Sequence, residues 1–142
     1  MRNVKKSLLF STIAVVLVLS ACLVYGYDSE AIGSIGNLVT KGRNFISSDK
    51  SAASATTTTN IPSSPYPPSA DTSVNATFYW VDHVHDDMGT VYKAAGGQSS
   101  SAVSPDTVSD RLYYKVISNH YVWYGQGSWS YTNLTTIVPA TP

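Results

Sequence analysis

The chain has 142 residues, of which 13% are charged, against roughly 25% in an ordinary soluble domain. The first 21 residues hold three of the nine basic residues and none of the nine acidic ones, so the remainder carries a net charge of −3. This balance excludes nucleic acid as an expected partner, because phosphate binding needs a basic surface. The single cysteine, Cys22, excludes an intramolecular disulfide.

The N-terminus has the pattern of a secretory signal. Arg2, Lys5 and Lys6 precede an apolar run from Leu8 to Leu19, and small residues follow. The stretch Leu19-Ser-Ala-Cys22 resembles the lipobox of bacterial lipoproteins. The resemblance covers residues 1–22 only. It implies that residues 1–21 are a signal peptide removed before Cys22, and that this thiol carries a lipid anchor. The chain would then be a palmitate-bearing lipoprotein of the cell envelope, facing the periplasm or the cell exterior.

Two alternatives for this segment stay open. The 21 residues from Ser7 to Tyr27 are mostly apolar and match the ~20 needed to span a bilayer, which would make an uncleaved signal anchor. Cleavage after Gly26 would instead release a secreted protein. All three interpretations place the rest of the chain outside the cytoplasm.

Residues 22–46 are predicted to form a stem next to the anchor. Within residues 28–46, Ile32, Ile35, Val39 and Ile46 fall near one face of a helix, but three glycines in the same stretch oppose helix formation. We expect either a poorly ordered stem or a short docking segment that becomes ordered on a partner.

Residues 47–73 are predicted to be a disordered linker. Ser, Thr, Ala and Pro make up 21 of these 27 residues, so little apolar surface is available to offset the entropy of ordering. Fully extended, such a spacer would reach on the order of 80 Å.

Residues 74–142 carry 11 of the 16 aromatic residues and are predicted to be a small β domain. Alternation of residue types and turn signals predict about five antiparallel strands in a small barrel or sandwich, an all-β fold. An α+β fold with a helix over 105–117 is the alternative, because Ser104-Pro105-Asp106 is a good helix start. The predicted strands span 74–84, 90–94, 112–117, 121–124 and 129–138, with a flexible loop at 96–104.

One pair of residues could bind a metal ion. On a strand, His83 and His85 would point to the same side and could share a zinc or copper ion, with His120 as a further candidate ligand. The sequence contains no nucleophile elbow and no phosphate-binding glycine loop, so we expect neither an enzyme nor an organic cofactor.

Five aromatic residues crowd into 11 positions and form a candidate contact surface: Tyr121, Trp123, Tyr124, Trp129 and Tyr131. We therefore expect a membrane-anchored envelope protein whose small domain binds another protein, as a subunit of an envelope-spanning assembly would. A carbohydrate or cell-wall binding module and a metal-binding protein are the alternatives.

Overall fold

The computed structural model describes residues 26–60 and 70–139, and these form eight β-strands in two antiparallel sheets of four strands each. The strands are β1 (Tyr27–Ile35), β2 (Leu38–Ile46), β3 (Ala53–Asn60), β4 (Asp71–Asp82), β5 (Asp87–Gln98), β6 (Ser100–Val103), β7 (Arg111–Tyr124) and β8 (Gly127–Ile137). The predicted signal peptide and Cys22 lie outside the described residues.

The two sheets pack face to face as a sandwich. Sheet A has the order β1-β2-β3-β6 and sheet B has the order β5-β4-β7-β8. The sheets are not joined into a closed barrel, so the all-β prediction is confirmed in its sandwich form. The helical alternative is wrong: within the described residues there is no helix, and residues 111–117 belong to β7.

Two of the hairpins are tight, and each has a glycine that must adopt positive φ. Gly36 (φ +58°) lies in the two-residue turn between β1 and β2, and Gly125 (φ +60°) lies in the turn between β7 and β8. This left-handed conformation favours glycine because it has no Cβ. The turn predicted at 125–128 is found at residues 125–126, and Gly127 and Ser128 already belong to β8.

Sheet A is built largely from residues for which the sequence predicted no fold. The stem prediction is wrong for residues 27–46, which form the β1–β2 hairpin. The linker prediction is wrong for residues 53–60, which form β3, and for residues 71–73, which begin β4. Residues 61–69 of that linker lie outside the described residues.

The predicted strands in residues 74–142 exist, but several of their boundaries differ. β7 runs without interruption from Arg111 to Tyr124, so the turn predicted at residues 118–119 is wrong. The predicted loop at 96–104 is wrong as well, because β5 continues to Gln98 and β6 follows after one residue. That residue, Ser99, has φ +66° at the point where the chain passes from sheet B to sheet A.

Large side chains of sheet B pack against small side chains of sheet A. Phe78, Trp80 and Tyr113 of sheet B are buried in the same cluster as Ala53 and Ala55 of sheet A. This arrangement of large against small residues lets the two faces interdigitate at normal packing density.

The sandwich has two distinct ends. At its N-terminal end, Tyr27 pairs with Ile46, and the N–H of Tyr113 donates to the Lys50 carbonyl at 2.8 Å. The turn of the β4–β5 hairpin lies at this same end, because Asp82 pairs with Arg111 of β7. The β1–β2 and β7–β8 turns lie at the opposite end, where Ile35, Tyr124 and Trp129 pack around one buried cluster.

Candidate functional site

The structure divides the five predicted contact aromatics into two groups. Tyr124 and Trp129 pack against the buried cluster of Leu38, Ala70 and Val122, so they contribute to the core. Tyr121 and Trp123 flank the buried Val122 on β7 and therefore point to the outer face of sheet B, where Trp123 is 48% exposed. Tyr131, on the edge strand β8, is 45% exposed.

Tyr121 and Trp123 belong to a larger aromatic surface that the sequence did not reveal as one patch. Strand alternation and pairing bring residues of β4, β5 and β7 together on the outer face of sheet B. We call this surface the aromatic face and define it by six residues: Tyr79, Tyr92, Tyr114, Ile117, Tyr121 and Trp123.

Four of the five rings of the aromatic face are arranged in two pairs. Tyr121 and Trp123 stack with centroids 5.9 Å apart and planes 13° apart, while Tyr79 and Tyr114 lie 6.2 Å apart at 60°. Lys115 places its ammonium 4.8 Å from the Tyr79 ring centre, a cation–π distance. The pairing immobilises the rings before any partner binds, which lowers the entropy cost of binding.

The outer face of sheet A has the opposite character. Lys41 contacts Glu30 at 2.5 Å, and Arg43 contacts Asp28 at 2.9 Å, all at exposed positions of β1 and β2. A shallow concavity beside this network is lined by Arg43, Phe45, Ser54 and Thr56, but its one cation is already paired with Asp28. Sheet A therefore presents ion pairs together with the exposed aliphatic side chains of Ile32 and Val39, and sheet B presents an aromatic surface.

The candidate metal ligands His83 and His85 lie in the β4–β5 turn instead of on a strand, so the predicted alternation does not place them. Asp82 organises the turn: its Oδ1 accepts the N–H groups of Val84 and His85, and its Oδ2 lies 2.8 Å from Nδ1 of His85. This contact raises the pKa of His85 and lowers that of Asp82.

His120, the further candidate ligand, lies far from this turn. It pairs with Val74, which is eight positions along β4 from Asp82, and at about 3.4 Å per residue this separates His120 from the turn by roughly 27 Å. Among the described residues no three His, Cys, Asp or Glu side chains form a metal-binding group.

His120 instead occupies the core, where it belongs to a polar network linking the two sheets. Its Nδ1 lies 2.9 Å from Thr57 Oγ1 of sheet A, and its Nε2 lies 2.6 Å from Ser118 Oγ of sheet B. Ser118 in turn donates to Asn44 Oδ1 of sheet A at 2.5 Å, and Asn44 Nδ2 donates to the Leu134 carbonyl at 2.7 Å. We call Asn44, Thr57, Ser118 and His120 the His120 network; all four are essentially inaccessible to solvent.

The network has a serine beside a histidine but not the arrangement of a nucleophile and its base. A nucleophilic serine donates its hydrogen to the imidazole, whereas Ser118 donates to Asn44. Ser118 is 1% exposed and His120 is 0% exposed, so neither is open to a substrate. The network is therefore a structural link between the sheets.

Burial lowers the pKa of His120 to about 4, with desolvation of the imidazolium as the cause. No sequence motif marks this residue. The only available signal was that Ser118 and His120 alternate with Val116 and Val122 on one face of a strand, which places two polar residues at core positions.

No protein-family model matches the chain, and searches of curated proteins and of solved structures found no significant match. In the part of the chain that the structure describes, no helix is long and apolar enough to cross a bilayer.

The buried His120 predicts a specific loss of stability in acid. The unfolded chain binds a proton near pH 6.5 and the folded chain near 4, so the free energy of unfolding should fall as pH drops from 6.5 to 4. At about 1.4 kcal/mol per pKa unit, the loss approaches roughly 3 kcal/mol. Urea unfolding at pH 7, 6, 5 and 4 measures it.

The matched control for this pH series is His120→Gln, which should lose most of the slope between pH 6.5 and 4. The pH dependence due to His120 can be separated from that of His85, because the two have opposite signs. The raised pKa of His85 stabilises the folded chain below pH 6.5, and this stabilisation is lost as pH rises through the pKa of folded His85. An identical slope in the wild type and in His120→Gln would contradict the assignment.

Proposed function

We propose that this protein is a membrane-anchored extracytoplasmic module that binds another protein through the aromatic face of sheet B. The lipid anchor is at Cys22, and the β-sandwich follows directly. The module does no chemistry of its own and acts as a binding subunit, for example within an envelope assembly.

The observation that carries this proposal is the contrast between the two outer sheet faces. One face carries exposed ion pairs, with the exposed aliphatic side chains of Ile32 and Val39 further along the same two strands. The other carries half-buried tyrosine and isoleucine side chains with Lys115 among them, and Tyr92 and Trp123 are exposed there. Exposed apolar patches mark contact surfaces on soluble domains. Tyrosine and tryptophan are also the residues most enriched among interface hot spots.

The chemistry of the aromatic face favours a protein partner with an uncharged, apolar surface. Few formal charges lie on this face, so charged partners gain little there. A sugar ring packs its C–H groups on an open aromatic face, but Tyr121 and Trp123 turn one face each toward the other. Their exposed edges suit aliphatic and aromatic protein side chains better.

The position of β1 indicates how the module is oriented on the membrane. Only four residues separate Cys22 from Tyr27, the first residue of β1, so the N-terminal end lies within about 18 Å of a lipid-bearing Cys22. Six of the nine acidic residues lie in the turns and loops of that end or at the strand ends beside them: Asp49, Asp82, Asp86, Asp87, Asp106 and Asp110. An acidic end gives the sandwich no affinity of its own for anionic lipids. Tyr121 and Trp123 lie near the opposite end of the sandwich, away from the bilayer surface.

Trp123→Ala should weaken partner binding by at least tenfold, or about 1.4 kcal/mol, because it removes the most exposed ring of the stacked pair. The measurement uses a photo-crosslinking amino acid at Ser128, which pairs with Trp123 on the outer face of β8. The full-length chain, produced in its native envelope, should give one discrete protein adduct. Trp123→Ala should reduce the yield of this adduct at least tenfold.

The matched control carries the same crosslinker at Thr58, an exposed position on β3 of sheet A. Equal protein adducts from Ser128 and Thr58, or an adduct from Ser128 that is indifferent to Trp123→Ala, would rule out the aromatic face as the contact surface. An adduct that carries glycan and no protein would favour the carbohydrate-binding alternative.

Cys22→Ser should abolish lipid attachment and removal of the signal peptide if the thiol carries the anchor. We expect metabolically supplied palmitate to label the wild type and not the variant, and the variant to keep its residues 1–21. Palmitate labelling followed by membrane fractionation measures this. A variant that matures and fractionates like the wild type would instead support an uncleaved signal anchor or plain secretion.

A further inference from the structure

The partners of Asn44 determine where the hydrogens of the His120 network lie. Asn44 Nδ2 donates to the Leu134 carbonyl at 2.7 Å and faces the Val116 carbonyl at 3.5 Å. A flipped amide would bring its oxygen against these carbonyl oxygens. The Oδ1 atom therefore faces Ser118, and since an amide oxygen only accepts, the hydroxyl hydrogen of Ser118 is committed to it.

This commitment assigns the tautomer of His120. Because the Ser118 hydroxyl donates its hydrogen to Asn44, Ser118 Oγ can only accept from the imidazole. Nε2 of His120 therefore carries a hydrogen and donates it to Ser118 Oγ across 2.6 Å. The other neutral tautomer would place two lone pairs face to face at that distance. Neutral His120 is therefore the Nε2–H form, and its bare Nδ1 accepts from the Thr57 hydroxyl at 2.9 Å.

Thr57 then has more acceptors than hydrogens. Its Oγ1 lies 2.9 Å from Nδ1 of His120 and 3.1 Å from the Ser73 carbonyl, but it has one hydroxyl hydrogen. The four contacts that join Asn44 Oδ1, Ser118, His120, Thr57 and the Ser73 carbonyl thus share three hydrogens while His120 is neutral. A proton added at Nδ1 supplies the fourth: Nδ1–H donates to Thr57 Oγ1, and the Thr57 hydrogen turns to the Ser73 carbonyl.

We propose that the His120 network is a built-in proton-accepting site between the two sheets, which takes up one proton at Nδ1 while the sandwich stays folded. The proton comes from solvent and the domain gains one positive charge. Every heavy atom already lies where the cationic form needs it, so uptake requires only rotation of the Thr57 hydroxyl.

No charged group packs against His120 closely enough to dominate the protonation of its Nδ1 atom. Gly42 of β2, Thr57 of β3, Val74 of β4 and Tyr131 of β8 face it from the neighbouring strands, and Tyr131 is the one titratable group among these four. The residues flanking Gly42, Lys41 and Arg43, are paired with carboxylates on the outer face of sheet A. Desolvation opposes uptake and the Thr57 hydroxyl supports it, so the site fills only in acid.

The consequence for an extracytoplasmic protein is tolerance of acid. A buried histidine with no acceptor for its second hydrogen forces the chain to unfold in order to protonate. In this sandwich the loss of stability from His120 should stop once the folded state itself binds the proton.

Histidine-selective ¹⁵N NMR on the full-length chain in detergent micelles, titrated from pH 8 to pH 3, tests the proposal. We expect the Nε2–H tautomer at pH 7, and a reversible shift to the imidazolium near pH 4 while the backbone amide spectrum keeps its folded dispersion. A neutral Nδ1–H tautomer, or loss of the folded spectrum in step with protonation of His120, would overturn the proposal.

Thr57→Val, which removes the acceptor, and Thr57→Ser, which keeps it, form the matched pair of variants. We expect the valine variant to lower the proton affinity of folded His120 at least tenfold, or to unfold on protonation, and the serine variant to titrate like the wild type. Equal titration of His120 in both variants contradicts the proposed role of Thr57. The tautomer of the wild type at pH 7 is independent of the folding of either variant.

Discussion

The spacing of the two sheets depends on the contact between Gly42 of β2 and the ring of His120 of β7. A Cβ on residue 42 would lie 2.5 Å from the imidazole Cγ, and the ring cannot retreat because both of its nitrogens are held by hydrogen bonds. Sheet A must therefore present a glycine there. Gly33 of β1 has the same role opposite Trp129 of β8, where an added Cβ would overlap the indole ring. These two contacts explain why sheet A has a glycine opposite each of these two large rings of sheet B. Overpacking at such points typically costs 1–3 kcal/mol.

This division of residue sizes also explains how far the sequence could predict the fold. Strands β4, β7 and β8 were predictable because aromatic and β-branched residues alternate with polar ones along them. Strands β1, β2 and β3 were not, because the residues that face the core include Ala31, Gly42 and Ala55. The Thr-rich run of β3 has the composition of a linker, yet its threonines are β-branched and fit a strand that has a partner sheet to cover it. Buried and exposed residues alternate along β2, but the buried ones include Thr40 and Asn44. Because these two side chains are polar, hydropathy does not mark their positions as core positions.

The candidate site was predictable only in part for a related reason. The sequence shows that aromatic residues crowd between 121 and 131, and alternation shows that some of them face outward. Which rings belong to the core depends on the opposing sheet, and Trp129 packs inward because Gly33 leaves room for it. Tyr79 and Tyr92 join the surface only through strand pairing, which adds residues from β4 and β5. The His120 network was not predictable, since its four members come from three strands of two sheets and no motif links them.

The structure also changes the expected geometry at the membrane. The sequence suggested a spacer between an anchor and a remote domain, whereas β1 begins five residues after Cys22. Because sheets A and B share one core, we expect them to fold together. The direct test compares a chain of residues 26–142 with one of residues 74–142, which lacks β1 to β3, by urea unfolding followed with tryptophan fluorescence. We predict a single cooperative transition for the longer chain and none for the shorter one. Cooperative unfolding of the 74–142 chain at a similar urea midpoint would contradict it.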